Sequence, residues 1–514
     1  MKLRDSMELG GQHLLGWLNP DRDYLPTGSW AITHDLGRWW DAMLRLEHAT
    51  GFTIPGHMEA ASLRNLQWLT DNPDGMLWVP PGLDWQPMKF DLHSVREGIL
   101  TFAALVQYRE STWARQAGRK YLESIRRALR PDGSWDFDQL AYAKLFTGGD
   151  NEHEGHLPSN EDRFSVVSQH GRAIEALVWY YRATGDSLAM ELAEELARFH
   201  LKHATTPDGT IPHHLKHVDI CDRQSYLYTL CGLLLFGVMT HQSEYVDAVV
   251  STYRVGVPDL VNECGWVAHD MGETRYLDES GNLLANTEST GAATRLALWL
   301  ALHTHRAACF DDVERLVRAR LFPGQTTPAD VERNPAIDIP AKAPGGWGAN
   351  DYPHAGKGFN PSGTAEIVHT MSAIYEHIIF REPTGLFINM HFDCADESAQ
   401  ITVDRGEQAT ITVRPGVDDN LFIRVPGWVP ADSVEIDVYG ERVPQVQMVG
   451  SFAYLPRELV RAGGEVVLRH ALPHCRTTET MSGGDSYQFA WLGDEITGVH
   501  PNELPLPFYP TLTP

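Results

Sequence analysis

Polar helix starts recur along the first three quarters of the chain, and they constrain its fold more than any other feature. Six segments combine a polar opening with a long apolar continuation, and their starts lie 53 to 76 residues apart. This spacing has room for a helix, a loop, a returning helix and a second loop. Six helical hairpins are the number that closes an (α/α)6 barrel, which we therefore predict. The starts lie near His34, Ser94, His170, Arg223, Glu288 and Thr364.

The helices that begin at these starts are predicted to form the inner ring of the barrel. Segments between them, such as RQAGRKYLESIRRAL and AMELAEELARFH, carry surface charge and are predicted to be outer helices. The longest apolar run, Leu227 to Met239, is shorter than a bilayer span and fits a buried helix. If the inner helices are parallel, their N-termini converge at one end of the barrel. That end gathers polar side chains and positive helix-dipole ends over an apolar floor, which suits a sugar ring.

Beyond Pro383 the pattern changes to short segments of alternating apolar and polar residues, such as QITVDRGEQATITVRP and NLFIRVPGW. Gly, Pro and Asp separate them, which is typical of an antiparallel β-sandwich. We predict an α + β multidomain chain, with an (α/α)6 barrel over residues 1–382 and an antiparallel β-sandwich over 383–514. The Pro-rich C-terminal tail carries Leu, Phe and Tyr, so we expect it to pack back on the barrel.

The charge balance excludes several classes of partner. Lys and Arg total 42 against 68 Asp and Glu, a formal charge of −26, which repels nucleic acid and anionic lipid. The first residues lack the apolar core of a signal peptide, and the six cysteines are scattered without a C-x-x-C motif. We expect a cytoplasmic protein that acts on a small carbohydrate without a cofactor or membrane, with a homodimer as a possible assembly.

The richest polar window runs from Asn262 to Gly291. It brings charged side chains into one loop and the following helix start, where a carboxylic acid near an arginine and aromatic rings suits general acid–base chemistry. A solvated surface loop, in which Glu288 caps the helix, is the alternative reading of the same residues. The window holds Trp266, His269, Asp270, Glu273, Arg275 and Glu288.

The other helix starts supply candidate sugar-binding residues, because imidazole, amide and guanidinium groups form directional hydrogen bonds with hydroxyls. Helix capping is the alternative role for each of them. Candidate stacking faces are Trp30, Trp39, Trp85, Trp266 and Trp347, and a position in the core is the alternative for each. The Gly-rich loop from Gly345 to Phe359 fits a pocket rim. The remaining candidates are His34, Asp35, His93, Gln169, His170, Arg172, Asp222, Arg223, Asp351, His354, Ser362 and Thr364.

Two histidine-rich patches have spacings that resemble metal sites. They are IPHHLKH, with His213, His214 and His217, and the segment from Asn151 to His156. Neither has a full set of nearby acidic or cysteine ligands, so we interpret both as exposed loops and predict no metal.

Several stretches together resemble glycoside hydrolase family 127, the β-L-arabinofuranosidases. LFIRVPGWV, VEIDVYGERV and GSFAYLPRELVRAGGEVVLRHALP are similar to the sandwich domain of that family, and ALVWYYRATGDSLAMELAEELARF is similar to one of its helical hairpins. The resemblance covers most of the chain and implies a barrel followed by a sandwich, with glycosidase activity.

The resemblance also implies roles for individual residues. Gly272-Glu273-Thr274-Arg275 is similar to the family segment whose glutamate is the general acid–base, which assigns that role to Glu273. Glu288 matches a carboxylate ligand of the family's zinc ion, but Thr290 stands where a cysteine ligand is expected. The family's cysteine nucleophile falls on Pro361-Ser362-Gly363-Thr364, where no cysteine is present. A zinc thiolate is therefore lacking, and a serine hydroxyl with no evident base is a poor replacement.

The leading hypothesis is a zinc-independent glycosidase in which Glu273 protonates the leaving oxygen. A second carboxylate would activate water or attack the anomeric carbon, and the candidates in falling order are Glu288, Asp222, Asp351 and Asp35.

Two other functions stay open. In a lyase or epimerase, His170, His269 or Tyr276 would abstract a proton next to a carboxylate, and Arg172 or Arg223 would neutralise the uronate. In a non-catalytic relative, the site would bind sugar without turnover.

Overall fold

In a computed structural model of the chain, the described residues are 2–26, 32–77, 92–136, 139, 167–212, 222–269, 271, 284–334, 339–352, 357–481, 484–502 and 506–512, without the side chains of residues 92, 93 and 349–351. The helices in this part are α1 (Leu3–Gly16), α2 (Ile32–Thr50), α3 (Gly56–Leu69), α4 (Leu92–Arg109), α5 (Thr112–Ala128), α6 (Ile174–Thr184), α7 (Ser187–His203), α8 (Arg223–Thr240), α9 (Ser243–Val255), α10 (Thr287–Thr304), α11 (Ala308–Leu316), α12 (Pro328–Arg333) and α13 (Pro361–Glu376). A π-helical segment (Val317–Leu321) and one further turn (Phe322–Gly324) extend α11.

Six of these helices form a closed inner ring. Helices α2, α4, α6, α8, α10 and α13 each pack against the next, and α13 packs back against α2. Their first turns lie at the same end, because Thr33 Oγ1 is 2.9 Å from Ser94 Oγ and His34 Nε2 is 2.8 Å from Ser362 Oγ. The inner helices are therefore parallel, and the predicted barrel is confirmed.

The composition of each helix explains its layer. Helix α8 contains the apolar run from Leu227, which is buried on all sides of the helix, as an inner position requires. Helix α5 buries one face that includes Tyr121 and Ile125, and Ser111 caps its start. Its arginines lie on the opposite face, toward solvent.

The sixth outer helix comes from the beginning of the chain. Helices α3, α5, α7, α9 and α11 each follow their inner partners, but α13 is followed directly by β-strands. Helix α1 packs against α13 and α2 instead. The barrel is thus built from five consecutive hairpins and one pair that joins the two ends of the helical region.

The strands of the described residues are short before Ile379 and dominate after it. They are β1 (Leu18–Asn19), β2 (Leu25–Pro26), β3 (Ala285–Asn286), β4 (Ala349–Asp351), β5 (Ile379–Glu382), β6 (Gly385–Ile388), β7 (Cys394–Ala395), β8 (Ala399–Arg405), β9 (Gln408–Pro415), β10 (Leu421–Arg424), β11 (Glu435–Val438), β12 (Glu441–Arg442), β13 (Gln447–Val449), β14 (Phe452–Leu455), β15 (Val466–Ala471), β16 (His474–Thr480), β17 (Ser486–Leu492) and β18 (Glu495–His500).

Three sheets make up the C-terminal region. Their strand orders are β13-β14-β10-β6-β5, β12-β11-β15-β9-β8-β7 and β16-β17-β18. The pairing is antiparallel as predicted, apart from one parallel pair in which Leu386 of β6 lies opposite Leu421 of β10. Burial alternates along β9, so one face of its sheet is covered. The predicted boundary after residue 382 falls in the β5–β6 turn, because β5 already belongs to the sheet region.

Buried ion pairs and the C-terminal tail join the sheets to the last helical hairpin. Arg424 of β10 is ion-paired with Asp311 and Glu314 of α11. The Tyr509 hydroxyl donates a hydrogen bond of 2.6 Å to the Ala319 carbonyl. None of the described helices is long and apolar enough to cross a membrane.

Candidate active site

A cluster of four side chains joins three inner-helix starts, and we call it the helix-start cluster: His34, Arg38, Glu288 and Ser362. Arg38 Nη1 donates to Glu288 Oε2 at 2.8 Å and to Ser362 Oγ at 3.0 Å. His34 Nε2 lies 2.8 Å from the same Ser362 Oγ. The helices α2, α10 and α13 are parallel and begin at the same end of the barrel. Side chains from their first two turns therefore reach a common point.

The capping pattern explains this local geometry. Asn286 caps α10 by accepting from the Glu288 backbone N–H at 3.1 Å, and Asn360 caps α13 by accepting from Gly363 N–H at 3.2 Å. The caps leave the Glu288 and Ser362 side chains unengaged in capping. Among the described residues, Glu288 uses only Oε2 for its side-chain bond to Arg38, so Oε1 remains available to a ligand or water.

The hydrogen bonds continue from this cluster to a second helix start. Arg38 Nε donates to Glu97 Oε1 at 3.1 Å, and Arg172 Nη2 donates to the same oxygen at 3.1 Å. Arg172 also bonds Ser225, whose hydroxyl donates to Asp222 Oδ2 at 3.0 Å. Gln169 Nε2 donates to Asp222 as well. The chain of contacts therefore connects six predicted site residues through Arg38, Glu97 and Ser225, which the sequence analysis did not single out.

Below the helix starts lies a buried ring of charges around Tyr228, which we call the arginine–glutamate ring. Its guanidinium groups lie 3.8 to 5.9 Å from the Tyr228 ring centroid. Together with Glu288, the ring balances four arginines with four carboxylates, as buried charges require. The ring consists of Arg38, Arg96, Arg172, Arg295, Glu97, Glu175 and Glu366.

The buried charges and the burial itself shift the pKa values of groups in and around the ring. Burial alone would raise the pKa of Glu97, but Arg96, Arg38 and Arg172 outweigh it and lower the pKa to about 2. Burial raises the pKa of the Tyr228 hydroxyl well above its ordinary value. Glu97 is therefore held as a carboxylate among its arginines, and the Tyr228 hydroxyl at the centre of the ring stays neutral.

Exposure separates the helix-start cluster from the ring. The exposed fraction is 7% for Ser362 and 6% for Glu288, and it falls to 0% for Arg96 and Arg295. The helix-start cluster is thus buried but slightly more accessible than the innermost residues of the ring.

Several predicted site residues lie away from the cluster, in the core. The His170 ring stacks on Phe199 at 4.1 Å and its Nε2 bonds the Gly133 carbonyl at 2.7 Å. Trp347 is fully buried and donates from Nε1 to the Leu321 carbonyl at 2.6 Å. Thr364 accepts from the Trp347 backbone N–H and donates to the Asn360 carbonyl. These contacts hold the fold together and leave no polar atom of Thr364 for a sugar.

The other predicted residues lie around the cluster or outside the described part. Trp266 is buried, Asp35 is almost buried, and Arg223 bonds the Leu260 carbonyl at 2.7 Å. The His269 carbonyl accepts from the Arg223 backbone N–H at 2.9 Å. Only the backbone is described for His93 and Asp351. Asp270, Glu273, Arg275 and His354 lie outside the described residues, as do Trp30, Trp85, Tyr276, the IPHHLKH patch and the segment from Asn151 to His156.

The residues present do not fit the zinc ion that the family resemblance implies. Glu288 is already paired with a guanidinium 2.8 Å away, which would repel a cation. The Thr290 hydroxyl, at the expected cysteine position, donates to the Gly265 carbonyl at 2.7 Å. Among the described residues no three His, Cys, Asp or Glu side chains form a metal-binding group. A carboxylate, hydroxyls and a guanidinium are a poor ligand set for zinc.

The sequence carried a signal for the residues that were missed. Arg38, Glu97 and Glu366 lie between one and two turns inside inner helices, Glu175 lies in the first turn of α6, and all four are buried. A charged residue inside a fully buried helix needs a partner of opposite charge in the same core. Because the six inner helices form a closed ring, charged side chains that point inward meet their partners along the barrel axis.

Comparison with solved structures supports the fold. The chain is similar to a family 127 β-L-arabinofuranosidase from Geobacillus stearothermophilus T6, with a TM-score of 0.58 and 15% identity over 96% of this chain and 80% of that one. A second family 127 β-arabinofuranosidase gives a TM-score of 0.61 and 14% identity, covering 95% and 78% of the two chains.

A third structure, described as a glycoside hydrolase, gives a TM-score of 0.60 and 13% identity over 96% and 80%. No family profile matches the chain, and no curated protein matches its sequence. The fold is that of a barrel shared with glycoside hydrolases, at 13–15% sequence identity to these structures.

Proposed function

We propose that the protein is a glycoside hydrolase that cleaves a glycosidic bond of a small oligosaccharide or glycoside without zinc. The observation that carries this proposal is the helix-start cluster, in which Arg38 holds Glu288 and Ser362 where three inner helices converge. The similarity in fold to family 127 structures supports the choice of reaction.

Glu288 is the second carboxylate of the proposed reaction. It is ion-paired to Arg38 through Oε2, so it acts as a carboxylate that accepts a proton from water or attacks the anomeric carbon through Oε1. The proton for the leaving oxygen then comes from another group, and Glu273 has that role by its resemblance to the family's acid–base glutamate. Inversion requires the two carboxyl groups about 6.5–9.5 Å apart, and retention about 5–5.5 Å.

Arg38 takes the position of a metal ion in this proposal. Its guanidinium contacts both the carboxylate that matches the family's zinc ligand and the residue at the start of α13 that matches the cysteine segment. A guanidinium supplies fixed positive charge and directional donors but no exchangeable coordination site. The protein would therefore stabilise negative charge near Glu288 without a Lewis acid.

Ser362 is a second candidate nucleophile for the same reaction, because it has a base within reach. Arg38 can only donate, so Ser362 Oγ accepts from it and its own hydrogen is free to point to His34 Nε2 at 2.8 Å. A hydroxyl beside an imidazole is the usual arrangement for an activated serine. The expectation that this serine lacks a base is therefore corrected.

The lyase alternative has less support. Arg172, its candidate partner for a uronate, is engaged by Glu97 and Ser225, and the His170 ring packs against Phe199 in the core.

Asp222, the next candidate for the second carboxylate of the hydrolase, accepts three hydrogen bonds as the cap of α8, from Ser225 N–H, Ser225 Oγ and Gln169.

The test is hydrolysis of a panel of nitrophenyl glycosides that includes α- and β-L-arabinofuranosides. We expect Glu273→Gln and Glu288→Gln to abolish turnover while circular dichroism stays unchanged. Glu332→Gln removes an exposed carboxylate of α12 and serves as the control. Full activity in either active-site variant would refute its role, and sugar binding without turnover in the wild type would identify a non-catalytic relative.

Metal dependence is tested separately. Dialysis against a chelator should leave the activity unchanged, and elemental analysis of the active protein should find less than stoichiometric zinc. Loss of activity that returns with added zinc would overturn the metal-free proposal.

A further inference from the structure

A cavity lies at the opposite end of the barrel from the helix-start cluster. It has a volume of about 650 Å³, within the usual range of small-molecule sites. The last turns of α2, α4, α6, α10 and α13 form its walls, and residues Cys394, Ala395 and Asp396 of the sheet region close one side. Helix α2 thus contributes to the active-site cluster at its first turn and to this cavity at its last.

Aromatic rings form much of the wall. Trp179 and Trp299 lie with ring centroids 5.9 Å apart, and Tyr108 lines the same space. The indole Nε1 atoms of Trp179 and Trp299 are buried and find no acceptor among the described residues. Because both Nε1 atoms are buried, they do not face the open volume, and a ligand in the cavity would contact the ring surfaces of the two indoles.

Two arginines flank Trp179. The Arg182 guanidinium lies 4.5 Å from the Trp179 ring centroid, and the Arg45 guanidinium lies 4.8 Å from it. Arg45 Nε donates to Asp41 Oδ1 at 2.8 Å, and its terminal nitrogens have no partner in the described part of the chain. Arg182 forms no ion pair or hydrogen bond with any described residue. Both guanidinium groups therefore have donors to offer a ligand.

Acceptors balance these donors. Glu376 and Asp396 line the cavity, and Gln107 adds an amide that both donates and accepts. Three imidazoles also line the cavity: burial lowers the pKa of His303 to about 4 and also lowers that of His377, so these two are neutral at neutral pH, and His48 Nε2 lies 3.8 Å from Glu376 Oε1. Two cations face two anions, and the walls therefore favour neither a strongly anionic nor a strongly cationic ligand.

Helix dipoles explain only part of this composition. Basic side chains are favourable in the last turn of a helix, which accounts for arginine and histidine at this end. The dipoles do not account for the paired tryptophans, the carboxylates or the open volume. Hydroxyl groups both donate and accept, and the C–H faces of a sugar ring pack on aromatic surfaces, so a neutral sugar matches every part of the wall.

We propose that this cavity is a second binding site, specific for a neutral mono- or disaccharide and separate from the helix-start cluster. The proposal does not rest on the proposed hydrolase activity, because its residues lie at the other end of the inner helices. Arg182 and Trp179 are its central contacts.

The experiment measures sugar binding to the full chain by calorimetry and tryptophan fluorescence. The probes are L-arabinose, D-galactose and maltose, with D-glucuronate and inorganic phosphate as charged comparisons. Glu288→Gln removes a contact of the active-site cluster, and Arg182→Ala removes a donor of the cavity. Arg254→Ala removes an exposed arginine of an outer helix and is the matched control.

We expect at least one neutral sugar to bind the Glu288→Gln variant, and Arg182→Ala in that background to weaken this binding about tenfold, as loss of one charged hydrogen bond does. Arg254→Ala should bind like its parent. The proposal is overturned if no neutral sugar binds the Glu288→Gln variant, if Arg182→Ala leaves its binding unchanged, or if only glucuronate or phosphate binds.

Discussion

Ser362 lies next to both candidate nucleophiles, because it is one of them and it shares Arg38 with the other, Glu288. Its contacts therefore predict how activity changes when its hydroxyl is removed. Its hydroxyl lies between His34 and Arg38, and Arg38 in turn holds Glu288. Ser362→Ala removes this link without disturbing the cap of α13, which Asn360 provides. If Glu288 is the reacting carboxylate, kcat should fall about 100-fold, as when one positioned donor is lost, and activity should persist.

The control for Ser362→Ala lies two residues away. Thr364→Val removes a hydroxyl whose bonds are to the Asn360 carbonyl and the Trp347 N–H, so it should lower stability and leave kcat nearly unchanged. Complete inactivity of Ser362→Ala, equal to that of Glu288→Gln, would instead assign the nucleophile to the serine.

Glu97 is the residue on which the arginine–glutamate ring most depends, because Arg38, Arg96 and Arg172 all donate to it. Glu97→Gln leaves three buried guanidinium groups with one carboxylate fewer. We expect the free energy of unfolding to fall by about 3–5 kcal/mol, the usual cost of breaking a buried ion pair.

Urea titration at pH 7 measures this loss. Glu59→Gln breaks a half-exposed pair with Arg109 and should cost only about 0–1 kcal/mol. Equal effects of the two substitutions would show that the ring contributes no more than a surface pair.

At the scale of elements, periodicity predicted the helices and their layers well. Polar starts followed by apolar runs located all six inner helices, because a buried helix must be apolar along its length and capped at its end. The outer role of α1 was not predictable from local pattern, since it depends on contacts with α13 more than 340 residues away in sequence. The parallel β6–β10 pair was missed for the same reason.

The candidate site was predictable only in part. Glu288, His34 and Ser362 were found from helix-start chemistry and family resemblance, and they do meet. Arg38 was missed because a sequence shows that a charge is present but not which helix will face it. His170 and Trp347 were expected at the site because polar and aromatic residues near helix starts look alike, whether they bind sugar or fill the core.

The start of α13 contains Gly363, a residue type that makes a helix less stable than alanine does. A Cβ at Gly363 would lie 3.4 Å from Glu288 Oε2, an ordinary contact, so alanine fits. Alanine inside a helix is about 0.5–1 kcal/mol more stable than glycine. We expect Gly363→Ala to raise the free energy of unfolding by about this amount and to lower kcat/KM, because its methyl group would occupy space beside Glu288 that a bound sugar would need.

Gly56→Ala, at the start of α3, is the matched control, because a Cβ there meets nothing within 4 Å. It should change stability in the same direction without affecting kcat/KM. An active and stabilised Gly363→Ala variant would place the sugar away from this face of Glu288.

At the scale of the whole molecule, buried ions join the barrel to the sheets. Arg318, from the segment after α11, donates to Asp494 at 2.6 Å, and Arg405 of β8 donates to the same carboxylate at 2.6 Å. Arg424 reaches back to Asp311 and Glu314. If only one of the two regions unfolded, the other would keep a buried charge without its partner. The barrel and the sheet region should therefore unfold together.

Buried neutral histidines should make the whole molecule sensitive to acid. Burial lowers the pKa of His13, His170, His303 and His470 to about 4 each, against an ordinary value of 6.5. Between these values the unfolded chain binds protons that the folded chain does not. The free energy of unfolding therefore falls as pH drops from about 6.5 to about 4, by up to about 3 kcal/mol for a fully buried histidine.

His170→Phe isolates one of these contributions. Phenylalanine preserves the stacking on Phe199 but loses the bond to the Gly133 carbonyl, so the variant should be about 1 kcal/mol less stable than the wild type at pH 7. Because phenylalanine does not titrate, this deficit should shrink and then reverse as pH falls toward 4.5 in urea titrations at successive pH values. Gln488→Ala, which changes an exposed and non-titrating side chain of β17, should keep a constant difference from the wild type. A constant deficit for His170→Phe would mean that His170 titrates alike in the folded and unfolded chains, and that acid acts on the fold elsewhere.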